Sequence, residues 1–268
     1  MGKYKAIIFL LCASAAINGF SQEPRLESGI YRWPKLNNEK TKNSESIRVF
    51  HGSTTDLASL DVDVMSIMPD VAAKFGLRTD PVTDEPNVQR LIIIKEGTLE
   101  ITVGNQTKTV GAGSVAMEDS RAEITLKNVD THPASVYVFK FKTREALSPE
   151  RVSNSKGSFI VDWNETVFKT HERGGRRDVY DTSTALFDRF EMHVTMLKAG
   201  VSSHDPHRHA AEEIILLMDG DAEMLIGETH SPLLQWGIGF VDSQVLHGIT
   251  ENGNGTRQYY AFQWQVHK

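Results

Sequence analysis

The chain has almost no cysteine. Its one cysteine among 268 residues is Cys12, close to the N-terminus. Disulfide frameworks and thiolate metal sites are excluded, so the fold must rest on an apolar core or on a metal held by nitrogen and oxygen. Basic charge is not in excess either. With Lys+Arg at 29 and Asp+Glu at 35, the formal net charge is −6. Without residues 1–21, which carry Lys3, Lys5 and no acid, it becomes −8 (−6 − 2). Such a chain is a poor partner for nucleic acid or an anionic membrane surface. Beyond residue 21 no run is long and apolar enough to span a bilayer. Sustained helical periodicity is also missing, and Pro69 to Phe75 reads as at most a short helical turn.

The N-terminal segment has its own pattern. Lys3 and Lys5 precede an apolar run from Ala6 to Ile17, and small or polar residues follow. The pattern predicts a secretory signal peptide over residues 1–21, cleaved near Ser21/Gln22, and a periplasmic or extracellular protein with no remaining membrane association.

What the chain has in quantity is short strands. Residues 22–46 are polar and predict an N-terminal arm with little structure of its own, which Trp33 could pin to a domain. Residues 47–143 hold strand-like runs such as Arg90-Leu-Ile-Ile-Ile-Lys, Thr98-Leu-Glu-Ile-Thr-Val and Ser135-Val-Tyr-Val-Phe-Lys-Phe, punctuated by Gly, Asn and Asp. Residues 144–185, with Gly174-Gly175 and the pair Arg176-Arg177, read as a connector. The strand pattern resumes over residues 186–268.

The two stranded regions repeat each other. Arg90, six residues and Gly97 match Glu213, six residues and Gly220 at an offset of 123 (213 − 90). Gly111-Ala-Gly113 matches Gly237-Ile-Gly239 at 126 (237 − 111), and Asn128 matches Asn252 at 124 (252 − 128). A duplicated all-β unit with small loop insertions is expected, each copy a closed or double-sheet antiparallel barrel.

Only the second copy carries metal chemistry. Of ten histidines, six fall between His193 and His247. His207-x-His209, then Glu213, then His247 supply three imidazoles and one carboxylate, a set suited to a first-row transition metal with open positions left over. Counting back from Arg90 places Asp84 and Pro86 where the second copy has His207 and His209, and Arg121 or Glu123 where it has His247. None of these sets can hold a metal through imidazoles. Arg90 itself could bind a carboxylate or pair on the surface. His204 could be a fifth ligand, a general base or a solvated loop residue. Tyr260, Phe262 and Trp264 alternate with Tyr259, Ala261 and Gln263, so one set must face the barrel and Tyr260 is a candidate catalytic residue. Glu191 and His193 share a strand face. Arg176 and Arg177 could draw an anion to the pocket or clamp a domain interface. Ile214, Leu216 and Met218 face away from Glu213, which suits packing between the two barrels or across a homodimer.

The stretch Gly200, six residues, His207-x-His209, three residues, Glu213, six residues, Gly220 resembles the first motif of the cupin superfamily. Gly237-Ile-Gly239 through His247 to Asn252 is similar to the second, without its usual Pro. The resemblance spans roughly residues 47–266, as a bicupin. It implies two tandem double-stranded β-helix (jelly-roll) barrels, with one divalent transition metal (Mn, Fe, Zn, Ni or Cu) held by His207, His209, Glu213 and His247. The architecture is similar to ureidoglycine aminohydrolase-type bicupins, whose ligand pattern differs from this one. The expected function is an exported metal-dependent enzyme on a small oxygen-rich organic or sugar acid, with isomerase, lyase or hydrolase chemistry. A ureidoglycine aminohydrolase-like hydrolase, a cupin dioxygenase and a non-catalytic ligand-binding cupin are the alternatives.

Overall fold

The computed structural model describes residues 23–32, 44–75, 87–119, 122–145, 147, 149–250 and 255–266. The expectations for residues 1–21, Trp33, Asp84, Pro86, Arg121 and Asn252 lie outside the described residues.

Strand β1 (Gly29–Tyr31) comes first. The first barrel follows, with β2 (Glu45–Gly52), β3 (Leu57–Ile67), β4 (Ala72–Phe75), β5 (Val88–Glu96), β6 (Leu99–Val103), β7 (Gln106–Val110), β8 (Val115–Glu118), β9 (Ile124–Asn128) and β10 (Ala134–Thr143). A helix, α1 (Pro149–Asn154), and β11 (Phe159–Val161) lead on to the second barrel. This holds β12 (Phe168–His171), β13 (Gly174–Thr182), β14 (Phe187–Leu197), β15 (Glu212–Asp219), β16 (Ala222–Ile226), β17 (Thr229–Leu233), β18 (Ile238–Val241), β19 (His247–Thr250) and β20 (Arg257–Val266). Each barrel is a large sheet facing a small one. The first pairs a six-stranded sheet, β11-β8-β5-β10-β3-β2, with a four-stranded one, β4-β9-β6-β7. The second pairs a seven-stranded sheet, β1-β18-β15-β20-β14-β13-β12, with a three-stranded one, β17-β16-β19. The fold class is all-β, as two tandem jelly-roll barrels.

Three segments differ from the sequence expectation. Residues around Pro69–Phe75 form strand β4 and no helical turn, because Ala72–Phe75 pairs with β9. The N-terminal arm contributes β1 to the sheet of the second barrel, where Ile30 lies opposite Gly239. Its Arg25 also bridges to Ser53 of the first. The connector is shared out: β11 joins β8 of the first barrel, and β12 and β13 extend the second. Short polar strands such as these lack the apolar alternation that marks a strand in sequence, and partners far along the chain determine them.

The repeat is tighter than the sequence landmarks imply. From β6 to β10 the two barrels are offset by 123 throughout (222 − 99, 247 − 124, 257 − 134). Gly113 therefore corresponds to Trp236 and not to Gly239. Both have positive φ, at 83° and 62°, and their N–H groups bond to Ile94 and Leu217, which are also 123 apart. Before β5 the offset is 130 (187 − 57). The connection from β3 to β5 is thus seven residues longer than that from β14 to β15 (130 − 123). Counting back from Arg90 at fixed spacing therefore misses the counterpart of His207, which is Phe75.

The two large sheets pack face to face. Leu60, Val62, Tyr137, Phe139 and Phe141 of the first barrel share one apolar cluster with Phe187, Phe190, Ile214, Leu216, Phe262 and Trp264 of the second. Phe139 meets Phe262 edge-on at 5.1 Å, and Phe141 meets Trp264 at 5.2 Å. Ile214 and Leu216 thus pack between the barrels. Each barrel also has its own apolar interior, so the central strands β5 and β15 are buried on both faces. That double burial is why they read as unbroken apolar runs.

A pseudosymmetric polar clasp flanks this interface. In one half, Thr184 donates to Gln89 Oε1 at 2.9 Å, and Gln89 donates to Asp119 at 3.2 Å. In the other, Thr54 donates to Glu212 Oε2 at 2.7 Å, and the N–H of Asp56 reaches Oε1 at 3.0 Å. Glu212 and Asp242 lie in hydrogen-bond contact where Gln89 and Asp119 stand in the first half. Two carboxyls can bond only through a proton. Burial, reinforced by Asp242, pushes the Glu212 carboxyl up to about 8. A folded-state pKa raised above the ordinary value of 4.5 contributes stability that is complete at pH below 4.5 and lost as pH rises through about 8. Glu212→Gln gives this half the amide donor that Gln89 already supplies to the other. The wild type is expected to lose on the order of a few kcal/mol relative to Glu212→Gln between pH 5 and 8.5. Urea denaturation across that range would show it, and parallel pH profiles for the two proteins would refute it.

Candidate metal centre

His207 and His209 lie on an extended approach to β15 and not on a regular strand. The approach is stitched to the turn and strand opposite. His207 and His247 exchange backbone hydrogen bonds at 3.0 Å each, and the N–H of Gln244 bonds to the His209 carbonyl at 2.8 Å. Gly248 lets this segment come close, since a Cβ there would stand 3.3 Å from Pro206. Glu213, the second residue of β15, lies on the face turned into the barrel, while Glu212 before it faces the other barrel. At the end of β15, Gly220 takes φ +78°, where a Cβ would lie 2.6 Å from the Thr256 carbonyl, so a glycine is required there.

The structure brings all four expected ligands together. One donor atom from each of His207, His209 and His247 lies within 4.8 Å of the others. Glu213 Oε2 stands 3.0 Å from His247 Nε2 and 3.5 Å from His209 Nε2. The tautomers follow from backbone contacts. Nδ1 of His247 faces the Val245 carbonyl at 2.8 Å, and Nδ1 of His209 faces the Ala211 carbonyl at 2.9 Å. A carbonyl only accepts, so each Nδ1 carries the proton and each Nε2 presents a lone pair to the centre. Backbone carbonyls commonly hold metal-ligating imidazoles in this way. His247 Nε2 is buried and makes no hydrogen bond, because Glu213 Oε2, 3.0 Å away, meets its lone pair as a second acceptor. Such an atom costs free energy unless something outside the chain meets it. A metal ion fits that need, and the donor set suits it.

The electrostatics agree. Burial alone would raise the Glu213 carboxyl, but His209 and His247, in their protonated forms, outweigh it and hold it down to about 2. Glu213 is therefore a carboxylate that binds cationic partners. Burial, with His204, His247 and His209 nearby, keeps His207 below its ordinary value, which favours the neutral, ligating form. His209 is raised, chiefly by its contact with Glu213.

Where the second barrel has this centre, the first has apolar side chains. Phe75 pairs with Ile124 as His207 pairs with His247, and Ile124 is fully buried in the first barrel's interior. Arg90 stands where Glu213 stands, and its Nη1 donates to both oxygens of Glu118 at 2.8 and 3.1 Å. Arg90 is thus ion-paired within its own barrel and Glu123 is not the counterpart of His247.

The four groups line a cavity of ≈ 350 Å³, together with Arg176, Glu191, His193, Thr195, Tyr259 and Gln263. His204 is at its exposed rim, its ring 4.3 Å edge-on from His207 and its Nδ1 3.0 Å from the Asp205 carbonyl. Tyr260 does not belong to the site. It is fully buried in the cluster between the barrels, and its hydroxyl donates to the Gly113 carbonyl of the first barrel. The strand alternation that turns Tyr260 outward turns Tyr259 inward. Tyr259 contacts Ser203 and Thr195, and burial pushes its phenol up to about 12, so it is a neutral donor at any ordinary pH. Tyr260→Phe is expected to cost about 1 kcal/mol of stability and leave metal content unchanged, as checked by denaturant titration and metal analysis.

Of the two arginines, Arg176 lines the cavity and Arg177 does not. Arg177 lies 4.6 Å from the Trp163 ring centroid and donates to the Thr166 carbonyl at 2.6 Å, a clamp at the junction of the barrels. A larger cleft of ≈ 740 Å³ lies where the barrels meet, near Arg144 and Arg151. Those arginines are engaged by the carbonyls of Thr54, Thr55 and Ala185 and by Asp188.

A mutant of Bacillus subtilis oxalate decarboxylase OxdC superposes at a TM-score of 0.64 and 13% identity, over 90% of this chain and 78% of its own. AerE from Microcystis aeruginosa gives 0.62 and 14%, over 88% and 98%. A cupin 2 conserved barrel domain protein from Leptotrichia buccalis gives 0.55 and 12%, over 90% and 98%. The fold is that of a bicupin. No family model matches the sequence, and no curated protein matches it. Identities this low carry the bicupin fold alone, so the chemistry must come from the site.

Proposed function

We propose that this bicupin is an exported metal-dependent enzyme acting on a small oxygen-rich organic or sugar acid, by isomerase, lyase or hydrolase-type chemistry. One observation carries the reading: three imidazoles and Glu213 converge at a cavity of ≈ 350 Å³ in one barrel, while the other barrel fills the same place with Phe75 and Ile124. A barrel that served packing alone would need no buried His247 with an unmet Nε2. His207, His209, Glu213 and His247 would hold one divalent transition metal, which when bound supplies Lewis-acid polarisation of a substrate oxygen. The chain's own residues do the rest. Tyr259 donates to substrate oxygen, and Ile215, Met224 and Ile249 keep the floor dry. The cavity admits a molecule of sugar-acid size. Oxalate, for which the Bacillus subtilis oxalate decarboxylase is named, is a small acid of the proposed kind.

Metal analysis of the untagged protein tests this, followed by a turnover screen of organic and sugar acids with and without chelator. About one metal per chain and chelator-sensitive turnover are expected. Wild-type protein with less than a small fraction of one metal per chain would sink the reading. Oxygen uptake with flavonoids, thiols or diketones would replace it by the dioxygenase one.

A further inference from the structure

One wall of the cavity is polar and belongs to none of the four ligands. On β14, Phe190, Met192 and Val194 face the other barrel, while Glu191, His193 and Thr195 face the cavity. The register sets them beside Gln263, Ala261 and Tyr259 of β20, and Gln263 is next to Glu213 of β15. His193 is thus two strands from the strand of Glu213, about 10 Å across the sheet. Its neighbour on β20 is Ala261, which also lines the cavity.

Glu191 is held from three sides. Arg176 Nη2 reaches Oε1 at 3.0 Å, and Arg189 and Gln263 reach Oε2 at 2.9 and 2.7 Å. His193 Nδ1 lies 3.4 Å from Glu191 Oε1, buried and with no hydrogen bond of its own. The Glu191 carboxylate 3.4 Å from Nδ1 favours the ring proton on that nitrogen by charge, which leaves the lone pair on Nε2. The charged groups around the ring are Arg176 and Asp178 of β13, Glu191 of β14 and Glu213 of β15; from β20 come only Ala261 and Gln263. Burial, with Arg176 beside it, keeps the imidazole below its ordinary value, so it is neutral at pH 7.

We propose that His193, oriented by Glu191, is the proton acceptor of the second barrel, taking its proton from a hydroxyl or acidic C–H of a small acid held at the centre of His207, His209, Glu213 and His247. The assignment rests on reading the barrel as an enzyme. In the step, the substrate O–H or C–H bond breaks and its electron pair stays on the substrate. An N–H bond forms at Nε2, and Glu191 offsets the new positive charge. Return of that proton to a different substrate atom completes an isomerisation with nothing else consumed. The substrate class narrows accordingly, to hydroxy or oxo acids with an exchangeable proton next to the oxygen that meets the centre.

The test uses the full chain loaded with zinc, which is diamagnetic. Imidazole nitrogen NMR on ¹⁵N-histidine protein should show His193 as the Nδ1–H tautomer with a bare Nε2 that titrates, and Glu191→Gln should scramble the tautomer. A His193 with its proton on Nε2, or with Nε2 bound to zinc, would overturn the proposal. A second arm measures deuterium uptake from D₂O into 2-hydroxy acids, 2-oxo acids and uronic acids. Uptake at least 100-fold slower in His193→Gln, at equal zinc content, supports it; equal uptake in wild type and variant overturns it. Where no probe exchanges, the tautomer decides. Failure of the enzyme reading itself would show separately, as absence of bound zinc.

Discussion

Replacing Glu213 by Ala is expected to cut metal content from about one ion per chain to below a tenth after dialysis. Glu213 is the one anion among the four candidate ligands, and its carboxylate sits 3.0 Å from His247 Nε2. Three neutral imidazoles remain in the variant, in a half-enclosed cavity where a dication is poorly solvated. Loss of a ligand costs more than the 10- to 100-fold typical of groups that only orient one. His247→Ala should do the same. The corresponding change in the first barrel, Arg90→Ala, should leave metal content untouched and instead lower stability by about 3–5 kcal/mol. It strands Glu118, whose side chain is only 2% exposed. Elemental analysis and denaturant titration on the three variants would check this. Full metal retention in Glu213→Ala would show that the ligand set is wrong. Chelator should lower the melting temperature of the wild type and leave that of Glu213→Ala where it is, because only a ligand of the native state stabilises it.

Trp264→Ala is expected to destabilise the whole chain by about 3–5 kcal/mol. Trp264 is fully buried in the cluster between the two barrels, 5.2 Å from Phe141 and 6.3 Å from Phe187. Its Nε1 also donates to Glu212 Oε2 at 3.0 Å, so truncation leaves a cavity and takes a donor from a buried carboxyl. Against a typical total of about 5–15 kcal/mol, the loss is large. Because the cluster is common to both barrels, fluorescence and far-ultraviolet dichroism should report one shared transition. Two separated transitions in the wild type, or a loss under about 1 kcal/mol in the variant, would show that the barrels are energetically independent.

The contrast between Glu212 and Glu213 shows what side-chain alternation can and cannot supply. Adjacent on β15, one ends between the barrels and the other at the metal centre. Sequence spacing identifies Glu213, because it stands at a fixed distance from His207-x-His209 and Gly220. Nothing local marks Glu212 as buried, since its donors are Thr54 and Asp56, more than 150 residues away, and Trp264, 52 residues away. The same holds for Tyr259 and Tyr260. Alternation requires that they face opposite ways, but only the packing of the large sheets against each other decides which of them is inside.

By itself the sequence determined the all-β class, the duplication and the four residues of the candidate centre. Each of these is a local signal: period-two alternation, turn glycines, and histidines at ligand spacing. It also determined that the second copy alone carries the imidazoles. The tertiary structure decided the pairing of Phe75 with Ile124, the displacement of Tyr260 from the site, the use of β1 by the far barrel and the place of His193 behind Glu191. All of these depend on strand partners from distant parts of the chain and on a connection seven residues longer in one copy (130 − 123). Register across a sheet is fixed by burial on both of its faces, and a single strand contains only its own half of that information.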